Sequence, residues 1–182
     1  MSSRAVVKHI FISHSADTDK QEAAELCDWL KTAYKNIEVF VSSFNSIECG
    51  NDPMSTLIDG LNKTDALILL MSPAAMQNQW VLFEAGFVFG KFGKQKKQHN
   101  VLPFVCKGAK ISQLPKPILS LMQAKDISEK DGLDQAIATL DTILKQPHIK
   151  SIEPLRSSLT KPVYAPLPFA INRRRGYEDR RL

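Results

Sequence analysis

A chain of 182 residues, 43% hydrophobic and 24% charged, can bury a full core and is neither disordered nor fibrous in composition. Its formal charge of +5 collects at Lys91, Lys94, Lys96 and Lys97 and again at Arg173, Arg174, Arg175, Arg180 and Arg181. Neither cluster carries interleaved aromatics or a nucleic-acid motif, so both read as solvated loop and tail charge, and no nucleic-acid or membrane partner is expected.

The first strand is expected over Ala5–Ile12, a β-branched and aromatic run broken by Ser13-His14-Ser15-Ala16-Asp17. Thr18 with Gln21 has the pattern of a capping box, and Ala23, Leu26, Cys27, Leu30 and Tyr34 recur behind it at helical spacing. Ile37–Val41 reads as the second strand. A polar loop follows over Ser42–Asp52, and Pro53 opens a helix with Asp52 as its cap. Ala66–Met71 is unbroken apolar sequence of strand length, as expected of a parallel strand covered on both faces. A helix around Glu84 comes next and loses its signal near Gly90; Lys91–His99 reads as a basic loop. Val101–Val105 is a fourth strand, and its Pro103 argues for a place towards the sheet edge. A short strand around Met122–Ala124 and a helix over Gly132–Leu144 close the domain. From Gln146 onward the prolines rule out a long helix, so residues 1–146 are taken as the domain and 147–182 as a Pro- and Arg-rich, partly extended tail, with Val163–Ile171 as a segment that could dock. The alternation argues for a three-layer α/β sandwich on a five-stranded parallel sheet of flavodoxin-like order.

Three cysteines, Cys27, Cys49 and Cys106, show no CxxC spacing, so neither a disulfide framework nor a zinc site is indicated. Met1–Lys8 lacks the apolar stretch of a secretory signal, and no uncharged apolar run approaches the roughly 18 residues of a membrane helix. A soluble, cytoplasmic protein is the expectation.

The residue that stands out is Glu84. Trp80 and Val88 lie four residues either side of it, and Val81 and Phe87 three either side, so the carboxylate sits in an apolar helical stripe. Burying it there costs several kcal/mol (~2–7 even for a neutral polar group) unless it is paired or its pKa rises. Two readings stay open: a functional carboxylate, or a structural one bonded to a backbone N–H or a lysine. In an open parallel sheet, ligands bind at the carboxyl ends of the strands near the switch in strand order. Here the loops Ser13–Asp17 and Ser72–Asn78 would flank that point, and Glu84, about two turns into its helix, would converge on it with Trp80. Other chemistries find less support. There is no GxGxxG or Walker A loop, no GxSxG elbow beside His14, and no ligand spacing among His9, His14, His99 and His148, so no metal is expected. Taken alone, His14 reads as a loop hydrogen-bonder and Trp80 as core.

Five stretches in register resemble the Toll/interleukin receptor (TIR) domain family. Phe11-Ile12-Ser13-His14-Ser15 is similar to the family's opening strand. Phe40-Val41-Ser42-Ser43 with Ile47-Glu48-Cys49-Gly50 and Pro53 is similar to its second strand and the following BB loop. Leu67–Pro73 resembles the third strand, Trp80-Val81-Leu82-Phe83-Glu84 the W-x-x-x-E helix of the NAD-cleaving, bacterial-type branch, and Leu102-Pro103-Phe104 the fourth strand. The resemblance, over roughly residues 5–146, implies the TIR fold and an enzyme that breaks the nicotinamide–ribose bond of NAD+, its substrate rather than a cofactor. The product would be ADP-ribose or a cyclic isomer in antiviral immune signalling. It further implies Glu84 as the catalytic carboxylate, with Phe11, Ser13, His14, Ser43 and Trp80 lining the substrate pocket. Homo-oligomers through the loop Ser43–Pro53 and a downstream effector sensing the product are implied as partners. Two departures bear on how the substrate's phosphates are held: Ser42 and Ser43 stand where many relatives have an acidic residue, and His14 and Ser15 where some catalytic relatives have basic ones. The rival reading is a non-enzymatic TIR scaffold acting through homotypic contacts; a nucleoside-processing transferase is a third.

Overall fold

The computed structural model describes residues 6–42, 53–92, 100–116, 118 and 122–159. Five strands, β1 (Lys8–Ser13), β2 (Ile37–Val41), β3 (Ala66–Met71), β4 (Val101–Val105) and β5 (Lys125–Asp126), form one parallel sheet in the order β2-β1-β3-β4-β5. This is the expected flavodoxin-like order, with its switch between β1 and β3. Among the described residues the longer helices are α1 (Lys20–Ala33), α2 (Pro53–Lys63), α3 (Gln79–Phe92), α4 (Lys130–Leu144) and α5 (Glu153–Leu159). None of the helices among the described residues is long and apolar enough to cross a membrane.

The two-residue repeat of a strand divides the core in two. Ile10, Ile12, Ile68, Leu70, Leu102 and Phe104 face a layer built on α1, α4 and α5. Phe11, Leu67, Leu69, Met71, Val101 and Val105 face the layer of α2 and α3. Every residue of β3 and β4 is buried, which is why their sequences show no alternation.

Several elements differ from the sequence reading, each for a physical reason. Strand β1 is shifted to Lys8–Ser13. The Thr18/Gln21 capping box does not form: Asp19 stands at the start of α1 without capping it, Thr18 Oγ1 donates to Asp19 Oδ1 (3.1 Å), and Gln21 turns to Glu25 (2.9 Å). Helix α3 runs past Gly90 to Phe92, where Lys91 donates to the carbonyls of Asn62 and Thr64 and so ties α3 to the end of α2. Pro103 is not on an edge strand, since β4 lies between β3 and β5. Pairing with β5 begins only at Phe104, however, so at Pro103 the strand has a neighbour on the β3 side alone. A residue lacking an N–H is tolerated there. The last strand is Lys125–Asp126 instead of Met122–Ala124: Met122 closes a turn on the Ile118 carbonyl (3.0 Å) and buries its side chain, so its apolar character serves the core and the ladder is made by charged residues through their backbone.

The close passage from β5 into α4 depends on Gly132. A Cβ there would lie 1.8 Å from the carbonyl oxygen of Asp126, a backbone atom that cannot swing aside. Gly132→Ala is expected to cost stability near the top of the ~1–3 kcal/mol typical of overpacking, read as a lower urea midpoint at unchanged m-value.

Residues after Gln146 are not extended throughout. The Ile149 N–H donates to the Ala33 carbonyl (2.8 Å), and α5 buries Leu155 and Leu159 in the α1/α4 layer. Trp29 Nε1–H donates to the Ser151 carbonyl (2.9 Å), while Asp141 accepts from Tyr34 Oη (2.6 Å) and lies 3.0 Å from His148 Nδ1. Burial and Asp141 together push the Tyr34 hydroxyl well above its ordinary pKa. Trp29→Phe keeps the ring but orphans the Ser151 carbonyl. A loss of about 1–2 kcal/mol is expected, with increased protease cleavage at residues 148–159 as the check. The segment Val163–Ile171 lies outside the described residues.

Candidate active site

Helix α3 is apolar on nearly all sides, and its register against the sheet decides which residues go inside. Val81, Glu84, Ala85 and Val88 are buried, whereas Trp80 (42% exposed) and Phe83 (41%) point outward and meet edge to face at 5.8 Å. The buried stripe is therefore rotated from the expected one centred on Glu84: Val81 and Val88 are inside as expected, but Trp80 is turned out and Ala85 is turned in. Glu84 nonetheless stays within it, only 1% exposed.

Its partner among the described residues is neither a backbone N–H nor a lysine. Ser42 Oγ, just beyond the end of β2, donates to Glu84 Oε1 at 2.5 Å. Phe40, two residues earlier in β2, packs in the same layer, so the pleat carries Ser42 to the α3 side. By the same alternation Ser13, two residues after Phe11, points into this layer from the end of β1. Burial raises the Glu84 carboxyl above its ordinary pKa, and the hydroxyls of Ser13 and Ser42 offset this in part. By geometry only Ser42 forms the bond, for Ser13 Oγ is buried without a hydrogen-bond partner.

His14 adds to the imbalance. Its ring is 4% exposed and neither Nδ1 nor Nε2 has a hydrogen-bond partner. A buried polar atom left unpaired costs about 1–3 kcal/mol. Two consecutive residues at the end of β1, Ser13 and His14, carry such atoms, and Ser13 does so beside the desolvated carboxylate. An arrangement of that kind is suited to a polar ligand that supplies the missing partners.

Phe11, Trp80 and Ser43 were also expected at the site. Phe11 is fully buried and stacks on Phe40 (centroids 4.9 Å apart, planes 29° apart) beneath Gly60, so it belongs to the core under Ser13. Trp80 stands on the outer side of α3, its N–H held by Asn78 Oδ1 (2.9 Å). Ser43 and residues 44–52 are outside the described residues, and Pro53 opens α2. Among the described residues, two cavities of about 330 and 340 Å3 are lined by residues other than Glu84. One lies between α2 and the β1–β2 pair (His9, Glu38, Phe40, Lys63), the other between α1 and α5 (Glu25, Trp29, Leu155). Among the described residues no group of three His, Cys, Asp or Glu could hold a metal.

The sequence reading missed a buried network across the β1/β3 switch. Asp19, wholly buried, accepts from Ser72 Oγ (2.6 Å) and the Ser15 N–H (3.3 Å) on Oδ2. On Oδ1 it accepts from Thr18 Oγ1 and from Lys107 Nζ (3.2 Å), which also pairs with Glu22 (2.9 Å). Burial pulls the Lys107 ammonium down, but Glu22 and Asp19 outweigh it, and the net shift is upward. In the same surroundings burial pushes the neighbouring Cys106 thiol up to about 12, which leaves it protonated and unreactive. The available signal was an acid after β1, a hydroxyl at the end of β3 and a base after β4, all at one rim of the sheet.

Comparison with known proteins agrees with this architecture. The stimulator of interferon genes protein of Magallana gigas is 27% identical over 135 residues, covering 72% of this chain and 32% of the relative. The structure of a metazoan TIR-STING receptor from C. gigas superposes with a TM-score of 0.51 at 19% identity, covering 81% of this chain and 43% of that one; its complex with 2′,3′-cGAMP gives the same TM-score. The chain thus spans about a third of the curated relative and under half of the solved receptor. A family model described as TIR domain matches residues 10–141, most of the sheet and its helices. On that match, together with the five-stranded parallel sheet, the chain belongs to the TIR domain family.

Proposed function

We propose that this TIR domain is an NAD+ nucleosidase in which Glu84 stabilises the ribosyl cation formed as nicotinamide departs. The observation that supports it most is one desolvated carboxylate, Glu84, held by a single hydroxyl and faced by Ser13, with Ser13 and the next residue, His14, both buried and carrying unused hydrogen-bonding atoms. The C1′–N bond breaks with its electron pair going to the nicotinamide nitrogen, so the leaving group departs neutral and needs no general acid. Positive charge passes to the ribose, where a nearby carboxylate in a low-dielectric site is most effective. Water then gives ADP-ribose with release of a proton; attack by a nitrogen of the substrate's own adenine would give a cyclic isomer. The nicotinamidium charge of bound NAD+ also favours the ionised form of Glu84, opposing the effect of burial.

The relative's name supports a place in immune signalling, where an effector would read the product. Homo-oligomers through Ser43–Pro53 belong to the same proposal. The competing reading, a scaffold without turnover, draws on the exposed Trp80 and Phe83 faces of α3 as contact surface. Incubation with NAD+ at high protein concentration, with products separated by chromatography, decides between them. Nicotinamide release by wild type and not by Glu84→Gln is the expected result. Concentration-dependent assembly without nicotinamide would favour the scaffold, and cleavage of simple nucleosides but not NAD+ the transferase.

A further inference from the structure

His14 is held at both ends of its backbone and left free at its ring. On one side Ser13 is in register with Leu69 in the β1–β3 ladder. On the other, the Ser15 N–H donates to Asp19 Oδ2, and the Ser15 carbonyl accepts from the N–H groups of Thr18 (3.2 Å) and Asp19 (2.9 Å). The imidazole between these anchors is buried with no partner for either nitrogen.

Asp19 is in turn fixed from two other strands. Ser72 Oγ reaches it from the end of β3, and Lys107 Nζ from the turn after β4. Lys107 has a left-handed backbone (φ 57°), followed by Gly108 at φ 79°. A side chain with a Cβ adopts that region at a cost, and does so where its surroundings over-determine it. Its Nζ bonds the Thr18 carbonyl (2.6 Å), Asp19 and Glu22, and its side chain is only 7% exposed. Removal of the ammonium would take the shared cation from the buried Asp19 carboxylate and the partly buried Glu22 carboxylate at the start of α1.

We propose that Lys107, acting through Asp19, is the positioning residue that holds His14 in place for substrate in the Glu84 site. The inference rests on that site's assignment to NAD+ but concerns residues on the opposite side of the loop, which touch no substrate themselves. It turns the loop after β1 into a preorganised element, braced by the ends of β3 and β4, where a free loop would have to order its histidine on binding.

The test is a double-mutant cycle on NAD+ cleavage with His14→Ala, Lys107→Met and the pair, with Lys107→Arg as the conservative rescue and Ser72→Ala as a milder lesion should Lys107→Met not fold. All are assayed below their unfolding transitions. Expected are losses of about tenfold in kcat/KM for each single variant, little further loss in the double, and recovery in Lys107→Arg. Losses that multiply would show that Lys107 only stabilises the fold, and would overturn the proposal. Amide exchange at Ser15, which needs no turnover, is measured in parallel and should quicken by about tenfold or more in Lys107→Met, and less in Ser72→Ala. Unchanged exchange in both variants overturns the clamp whether or not NAD+ is cleaved. Quickened exchange in a protein whose wild type cleaves no NAD+ would instead count against the nucleosidase reading and leave the clamp standing.

Discussion

Glu84→Gln is expected to lose NAD+ cleavage by about 10²–10³-fold, the usual consequence of removing one preorganised electrostatic group, while the protein becomes more stable at neutral pH. The substitution keeps shape and an oxygen that can accept from Ser42 Oγ, so the layer around Val81, Ala85 and Val88 need not rearrange. The stability gain follows from the direction of the pKa shift. Because the folded pKa lies above the unfolded one, the native state binds more protons than the unfolded state between the two values. The contribution of Glu84 to stability therefore falls as pH rises from its unfolded pKa through its native one, then levels off. Melting curves of wild type and Glu84→Gln should lie closest near pH 4 and diverge as pH rises, with each ~1 kcal/mol appearing as about 2–4 °C in Tm. Activity should move the other way, since the ionised form does the work: kcat/KM should rise with pH through the raised pKa of the free enzyme. The inflection in kcat should lie lower, because bound NAD+ favours the carboxylate. A variant that retained turnover would remove Glu84 from the mechanism, and parallel melting curves at all pH would show that burial does not raise its pKa.

The largest loss of stability is expected from Asp19→Ala. It strips the Ser15 N–H and the Ser72 hydroxyl of their acceptor and leaves Lys107 with Glu22 and the Thr18 carbonyl, so a loss of about 3–5 kcal/mol is expected, as for breaking a buried ion pair. Asp19→Asn, which keeps an acceptor, should lose less, because most of the damage comes from orphaned groups. Urea unfolding of the three proteins checks the order. Equal losses for Ala and Asn would mean that charge outweighs hydrogen bonding at this position.

Strands β2, β3 and β4 were legible to the residue. Each is a run of apolar or β-branched residues bounded by polar or turn-forming sequence, and such a run has few other ways to bury itself. Elements that form only against a neighbour already in place were not. Strand β5 is Lys-Asp, recognisable as a strand only once β4 lies beside it, and α5 becomes a helix of the domain only because α1 and α4 offer a surface for Leu155 and Leu159.

Within the site, the sequence by itself pointed to a buried carboxylate, because Glu84 shares helical spacing with Val81 and Val88 on an almost wholly apolar α3. Which side of the helix Trp80 would take, and that Ser42 rather than a lysine or the main chain would meet the carboxylate, was settled only by the tertiary structure. Those outcomes depend on the register of α3 against the ends of β1 and β2. That register is set by packing among residues far apart in the chain, which local periodicity does not report.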